Sequence, residues 1–355
     1  MSVILILLYI SAVILGIIIP RSKVVLLYMF AVSWIVFAGN YSNPDLENYA
    51  IRFGFGLDSI KTTDIGFDFF CQLFLWMGLD FYQWKLIIAA LSLLVIFGIV
   101  YKYAKSYNTV LSFFLISTYF STMIALRNLV AFSFVLIGIP FLIKGTKKDY
   151  VIYAIAVIVG SMIHISAAFY FLFLFVRIKK RMLFIFVSVI ALFLLKNLIL
   201  GTYAAETDSE KGIEYSGRIS TFAAILFSGL LLLSSYYFNR ITDKWKKRLL
   251  SNKNESYIES FTEEKQSYHQ MQIVAAINSI LVILIPMFFD NLIYIRLVEN
   301  VVFINLILIA NSFQFNSSKM LLNMFVYSFF WALYLYLTRF DYIVEPFFKF
   351  NTFFV

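Results

Sequence analysis

Apolar residues run along this chain in long blocks separated by short polar breaks. A helix needs about 20 predominantly apolar residues to cross the hydrocarbon core of a bilayer. By that measure the blocks 2–19, 24–39, 84–101, 108–122, 128–143, 182–200, 219–239, 271–289, 294–312 and 320–338 read as spans. The stretch 149–176 is too long for one span and predicts a broken helical hairpin, two short helices meeting near 161–166. Residues 65–79 are apolar but interrupted by Asp68 and Gln72, and read as a re-entrant or interfacial segment. The first block lacks a small-residue cleavage site before Pro20 and Arg21, so it reads as a retained span and not as a signal peptide. The pattern predicts an all-α, polytopic integral membrane protein, a single transmembrane domain over 1–355 with about 12 transmembrane helices.

The charges orient those helices. Most of the 29 lysines and arginines fall in the connections 20–23, 102–107, 144–148, 177–181, 240–270 and 313–319. Basic residues mark cytoplasmic loops, so both chain ends are expected outside, with 40–83, 201–218 and 339–355 as the outside segments. The hydrophilic stretch 240–270 is then a cytoplasmic loop of mixed charge, read as a solvated connection with a short amphipathic helix. The composition agrees: 14% of residues are charged, against about 25% in soluble domains, and mean hydropathy is +0.86. The net charge of +9 does not imply nucleic acid, because the basic residues sit in short clusters between apolar blocks. A single cysteine, Cys71, allows no intrachain disulfide and reads as a small apolar residue.

Ionisable residues at the edges of spans are costly, and most of those here fall on the outside face. Asp45, Glu47, Arg52, Asp58 and Asp64 lie in the first outside segment, and Arg127 opens a span. His164 sits at the break of the hairpin, Arg218 closes the second outside segment, Asp290 and Arg296 flank a turn, and Arg339 and Asp341 follow the last span. One charged cavity opening outward would collect them. Arg127 has no acidic neighbour in sequence; its forked donors suit a phosphate, or it snorkels to the headgroups. His164 reads as a phosphate ligand, a general base or a structural histidine. The carboxylates at 45, 47, 58 and 64 match no metal-ligand spacing, and no cofactor or metal is expected. Neither a phosphate-cradling glycine loop nor a nucleophile elbow is present, which argues against ATP use and serine hydrolase chemistry.

Four short motifs carry a resemblance. Asp45 is followed four residues later by Tyr49, then Asp64-Ile65-Gly66-Phe67, then Arg127 with Ala131, then His164-Ile165-Ser166-Ala167. Their order and spacing over residues 40–180 resemble EpsG-like proteins and the Wzy-type polymerases of O-antigen, capsule and exopolysaccharide, although glutamate is commoner than aspartate before the glycine. The second half agrees in its hydrophobicity, in an outer loop bearing Tyr215 and Arg218, and in a late proline, Pro346. The resemblance implies a GT-C-like membrane glycosyltransferase in the bacterial cytoplasmic membrane. Its substrates would be undecaprenyl-pyrophosphate-linked glycans joined on the outer face, with a chain-length regulator as a further partner. It implies Arg127, with Arg218 or Arg296, on the pyrophosphate; His164 on phosphate or as base, with Asp45 or Asp64 competing for that role; and Tyr49 and Tyr215 on sugar. A lipid-linked oligosaccharide flippase, a membrane acyltransferase and a non-catalytic scaffold are the rival readings.

Overall fold

The computed structural model of the chain describes residues 2–55, 64–207, 217–251, 258–289, 294–313, 316–338 and 340–354. Among them the elements are helical, apart from one antiparallel bridge between Asn40 and Asn351. In chain order the first helices are α1 (Val3–Ile18), α2 (Lys23–Gly39), α3 (Leu46–Phe55), α4 (Ile65–Trp76) and α5 (Phe81–Tyr103). Then come α6 (Tyr107–Ser117), α7 (Tyr119–Ile124), α8 (Leu126–Lys144), α9 (Lys147–Ile163) and a 3-10 helix over Ile165–Phe175. They are followed by α10 (Arg181–Thr207), α11 (Gly217–Ser251), α12 (Ile258–Leu281), α13 (Ile285–Phe288) and α14 (Ile295–Glu299). The chain ends with α15 (Val302–Ser312), α16 (Ser317–Thr338), a π-helical turn over Phe340–Val344 and α17 (Glu345–Lys349). Contacts divide it into two compact units, residues 1–171 with 299–355, and residues 172–298.

Among the described residues six helical stretches are long and apolar enough to cross a membrane: Phe81–Tyr103, Leu126–Lys144, Thr221–Lys247, Tyr268–Phe288, Ile295–Ser312 and Ser317–Leu337. Several blocks that read as spans are apolar helices of 10–17 residues, α1, α2 and α6 among them. The shortness of α6 has a local cause. Its polar residues are buried and tied to the end of α1: Asn108 Nδ2 donates to the Ile19 carbonyl at 2.8 Å, and Ser112 Oγ to the Val13 carbonyl at 2.9 Å. The block 108–122 is then broken at Thr118, and α7 ends at Ala125, where the backbone leaves the helical region (φ −89°, ψ 66°) before α8 begins.

The expected break in 149–176 falls at His164, whose extended backbone (φ −151°, ψ 117°) ends α9. The following 3-10 helix folds back along α9, since the Tyr153 hydroxyl donates to the Tyr170 carbonyl at 2.8 Å. The segment 65–79 is helical over α4, whose 12 residues span about 18 Å, too short to cross the core. In the stretch 240–270, α11 continues to Ser251 and α12 starts at Ile258, so its described charged residues belong to these two helices. Likewise 201–207 belong to α10, and the tail is helical over α17.

Candidate functional site

Asp64 is the centre of the polar cluster in the first unit. It precedes α4, but its carboxylate does not cap that helix. One oxygen, Oδ2, instead accepts from Arg127 Nη1 at 2.5 Å and faces Arg52 Nη1 at 3.5 Å. The other, Oδ1, lies 3.5 Å from His164 Nδ1 and accepts the Ile165 backbone N–H at 3.3 Å. The break at His164 therefore supplies the imidazole and also exposes a backbone donor, both to the same carboxylate oxygen.

Gly66 explains how α4 comes so near the end of α9. A Cβ there would lie 2.9 Å from the carbonyl carbon and oxygen of Met162 and 3.1 Å from Ile163 N, all backbone atoms that cannot swing aside. On the next turn of α4, Asp68 takes both arms of Arg52, Nε at 2.6 Å and Nη2 at 2.9 Å. Such a forked pair fixes direction as well as distance. Phe67, buried between these carboxylates, lies under the Arg52 guanidinium at 5.3 Å and against Trp84 at 5.6 Å. The Arg127 guanidinium stands 5.6 Å from the ring of buried Tyr49. Ala131, one turn into α8, is fully buried, and its carbonyl would meet a Cβ on Gly160 of α9 at 2.8 Å. That small-residue contact holds α8 against α9, and so Arg127 against His164.

The electrostatics follow from this packing. Burial alone would raise the Asp64 carboxyl, but His164, Arg127 and Arg52 outweigh it and hold it below its usual range. Arg127 stands at the start of α8, where the helix dipole disfavours a cation, so it needs an anion. Its side chain keeps 30% exposure and that of His164 26%, against 5% for Asp64. The carboxylate is thus shielded while the two groups it holds reach the surface of the cluster.

The structure brings together Asp64, Arg127, His164 and Tyr49 among the residues expected from sequence. Asp45 stands one turn before Tyr49, whose N–H donates to its carbonyl at 3.2 Å. Arg296, in α14, belongs to the second unit, and so does Arg218, at the start of α11. The side chain of Arg218 lies outside the described residues, as do Tyr215, Asp58, Asp290 and Arg339. Among the described residues no three His, Cys, Asp or Glu side chains stand together as metal ligands. Arg52 and Asp68 complete the cluster. Asp68 had a signal, a carboxylate one turn from Asp64 inside an apolar helix, which demands a partner.

The chain matches the EpsG family over residues 23–352. It belongs to the EpsG family. No curated protein and no solved structure matches it. Family and helices together make it a polytopic membrane protein of the polysaccharide-polymerase type, glycosyltransferase-like in its chemistry. All four EpsG-like motifs fall within the matched range, and three of them supply the Asp64, Arg127 and His164 side chains that meet in the cluster.

Proposed function

We propose that this EpsG-family protein joins undecaprenyl-pyrophosphate-linked oligosaccharide repeat units on the outer face of the bacterial cytoplasmic membrane, within a GT-C-like arrangement in which the shorter apolar helices add to the six long ones. The observation that carries the reading is a shielded carboxylate, Asp64, holding a partly exposed arginine and a partly exposed histidine side by side. A pyrophosphate leaving group needs a fixed cation, and an acceptor hydroxyl needs a base; Arg127 and His164 are suited to those two tasks.

In the reaction the acceptor sugar's hydroxyl oxygen attacks the anomeric carbon of the donor glycan. The bond from that carbon to the pyrophosphate oxygen breaks, and undecaprenyl pyrophosphate leaves with the electron pair. Arg127, already oriented by Asp64, neutralises the charge that grows on the leaving group. In the His164 tautomer with its proton on Nδ1, 3.5 Å from Asp64, Nε2 accepts the hydroxyl proton, the same division of labour as in a carboxylate-oriented histidine base. Asp64, held below its ordinary pKa and engaged on both oxygens, is in this reading the positioning group and not the base. Tyr49 supports Arg127 from beneath, and Asp45 is left to bind sugar hydroxyls. No nucleotide sugar takes part.

Purified protein in liposomes with lipid-linked repeat units tests this directly. Polymer and free undecaprenyl pyrophosphate should appear together without added nucleotide. Movement of the intact units between leaflets with no polymer would instead mark a flippase.

A further inference from the structure

The helix that carries Tyr49 and Arg52 into the cluster, α3, is held from outside it. Its first turn is set by Asn43, whose carbonyl accepts the Leu46 N–H at 3.1 Å and whose Oδ1 accepts the Asp45 N–H at 3.2 Å. Asn43 is in turn tied by its Nδ2 to Asn40 Oδ1 at 2.8 Å. Asn40, fully buried at the end of α2, is gripped from several sides. Its Nδ2 donates to the carbonyls of Ser42 at 3.0 Å and Pro346 at 2.9 Å, and its own carbonyl accepts the ammonium of buried Lys85.

The partner on the far side is the end of the chain. The Tyr41 N–H donates to the Phe350 carbonyl at 3.0 Å, and the Thr352 N–H to the Gly39 carbonyl at 2.8 Å. Asn351 Nδ2 reaches the Ile35 carbonyl at 2.9 Å and Thr352 Oγ1 the Gly39 carbonyl at 3.2 Å. A Cβ on Gly39 would lie 2.5 Å from Asn351 Oδ1 and 2.6 Å from the Phe353 ring, so a larger residue would displace these side chains of the tail. Apolar contacts seat the same segment, with Phe347 5.3 Å from Phe120 and Phe348 5.4 Å from Tyr9, ring to ring.

We propose that Asn40 is the anchor of the reactive segment, and that the C-terminal stretch 345–353 acts through it as a positioning element for α3. The relay runs from Asn351 to the end of α2, through Asn40 and Asn43 to the first turn of α3, and along α3 to Tyr49 under Arg127 and Arg52 beside Asp64. The proposal rests on the polymerase reading for what α3 positions, but the relay itself is tested without it. Loosening α3 unseats Arg127 from a pyrophosphate that is charged before the reaction as well as during it. The loss therefore appears in KM for the lipid-linked donor more than in kcat.

The test uses the full chain in liposomes in a Cys71→Ala background, with Leu46→Cys as a reporter on buried α3 and an impermeant maleimide as the probe. Asn351→Ala should raise labelling of that cysteine about tenfold, as local opening by one tenfold step implies, and Thr352→Ala by less. A control cysteine, Val157→Cys in α9, should stay silent. Without the reporter cysteine, Asn351→Ala should raise KM for the donor about tenfold while kcat stays within about threefold. Unchanged labelling overturns the anchor. Raised labelling with unchanged KM overturns the positioning role. If Asn351→Ala also exposes Val157→Cys, the fold has loosened as a whole and the milder Thr352→Ala decides by the same two readouts. A wild-type protein that makes no polymer sinks the polymerase reading, and the labelling still decides the anchor.

Discussion

Each of the two histidines of this chain stands beside an arginine, and the two pairs differ instructively. In the first unit His164 and Arg127 are joined through a carboxylate with 5% side-chain exposure, and both lean against buried helix ends. In the second unit Arg177 Nη2 meets His269 Nε2 directly at 2.9 Å, at an exposed position. A guanidinium only donates, so the ring nitrogen is the acceptor in that contact. In the first pair a shielded carboxylate holds the cation and the imidazole together. Residue types alone do not distinguish the pairs; burial does.

Breaking the first pair at its centre should have the largest effect. Asp64→Asn keeps the shape but removes the charge that holds Arg127 and orients His164, and should lower polymer formation by about 10³–10⁴-fold, measured with purified lipid-linked units. The same carboxylate sets a pH dependence. Its pKa is lowered in the fold, so its stabilising contribution is complete above the ordinary aspartate range near about pH 4 and is lost as pH falls through the lower folded value. Acid unfolding followed by tryptophan fluorescence should therefore begin at higher pH in Asp64→Asn. Arg127→Lys should come next, with a loss of about 10²–10³-fold in kcat/KM, because a point charge does not replace a forked contact. Full activity in that variant would assign Arg127 to headgroup snorkelling.

Gly66→Ala should destabilise the first unit by about 1–3 kcal/mol, since a Cβ has no room against the Met162 and Ile163 backbone. A thermal shift in detergent reads it. The smallest effect belongs to the second pair: Arg177→Ala and His269→Ala should leave polymer formation within about twofold, as exposed pairs contribute about 0–1 kcal/mol. A large loss there would erase the comparison. Orientation is separately testable: in a Cys71→Ala background Ser42→Cys should react with an impermeant thiol reagent from outside cells, and Ser251→Cys should not.

The membrane character, the break at His164 and the members of the Asp64 cluster that fall in motifs were legible in the sequence, because each leaves a local mark. A long apolar run, a histidine between serines in such a run, and an arginine opening a span all stand out against their surroundings. The ion pair of Arg52 with Asp68 was less visible, because Asp68 resembled a mere interruption of an apolar segment. Lys85 sits four residues after the start of α5, where a lysine ordinarily reaches for headgroups, so its inward bond to Asn40 had no mark at all. Neutral asparagines such as Asn40 and Asn351 carry no charge signal, and their pairing joins opposite ends of the chain. Apolar runs also do not record where a helix axis breaks, which is why 108–122 read as one span and folds as α6 and α7. The helical extent of α11 and α12 into 240–270 was less visible, because a polar helix end carries the same composition as a connection.

The most direct measurement is the state of the lipid-linked glycans in a strain lacking this gene, complemented by the wild type and by Arg127→Lys. Single repeat units accumulating on the outer leaflet, with long polymer lost and restored only by the wild type, are the expected result. Units trapped on the inner leaflet, or polymer unchanged by the deletion, would contradict the assignment of this protein as the polymerase.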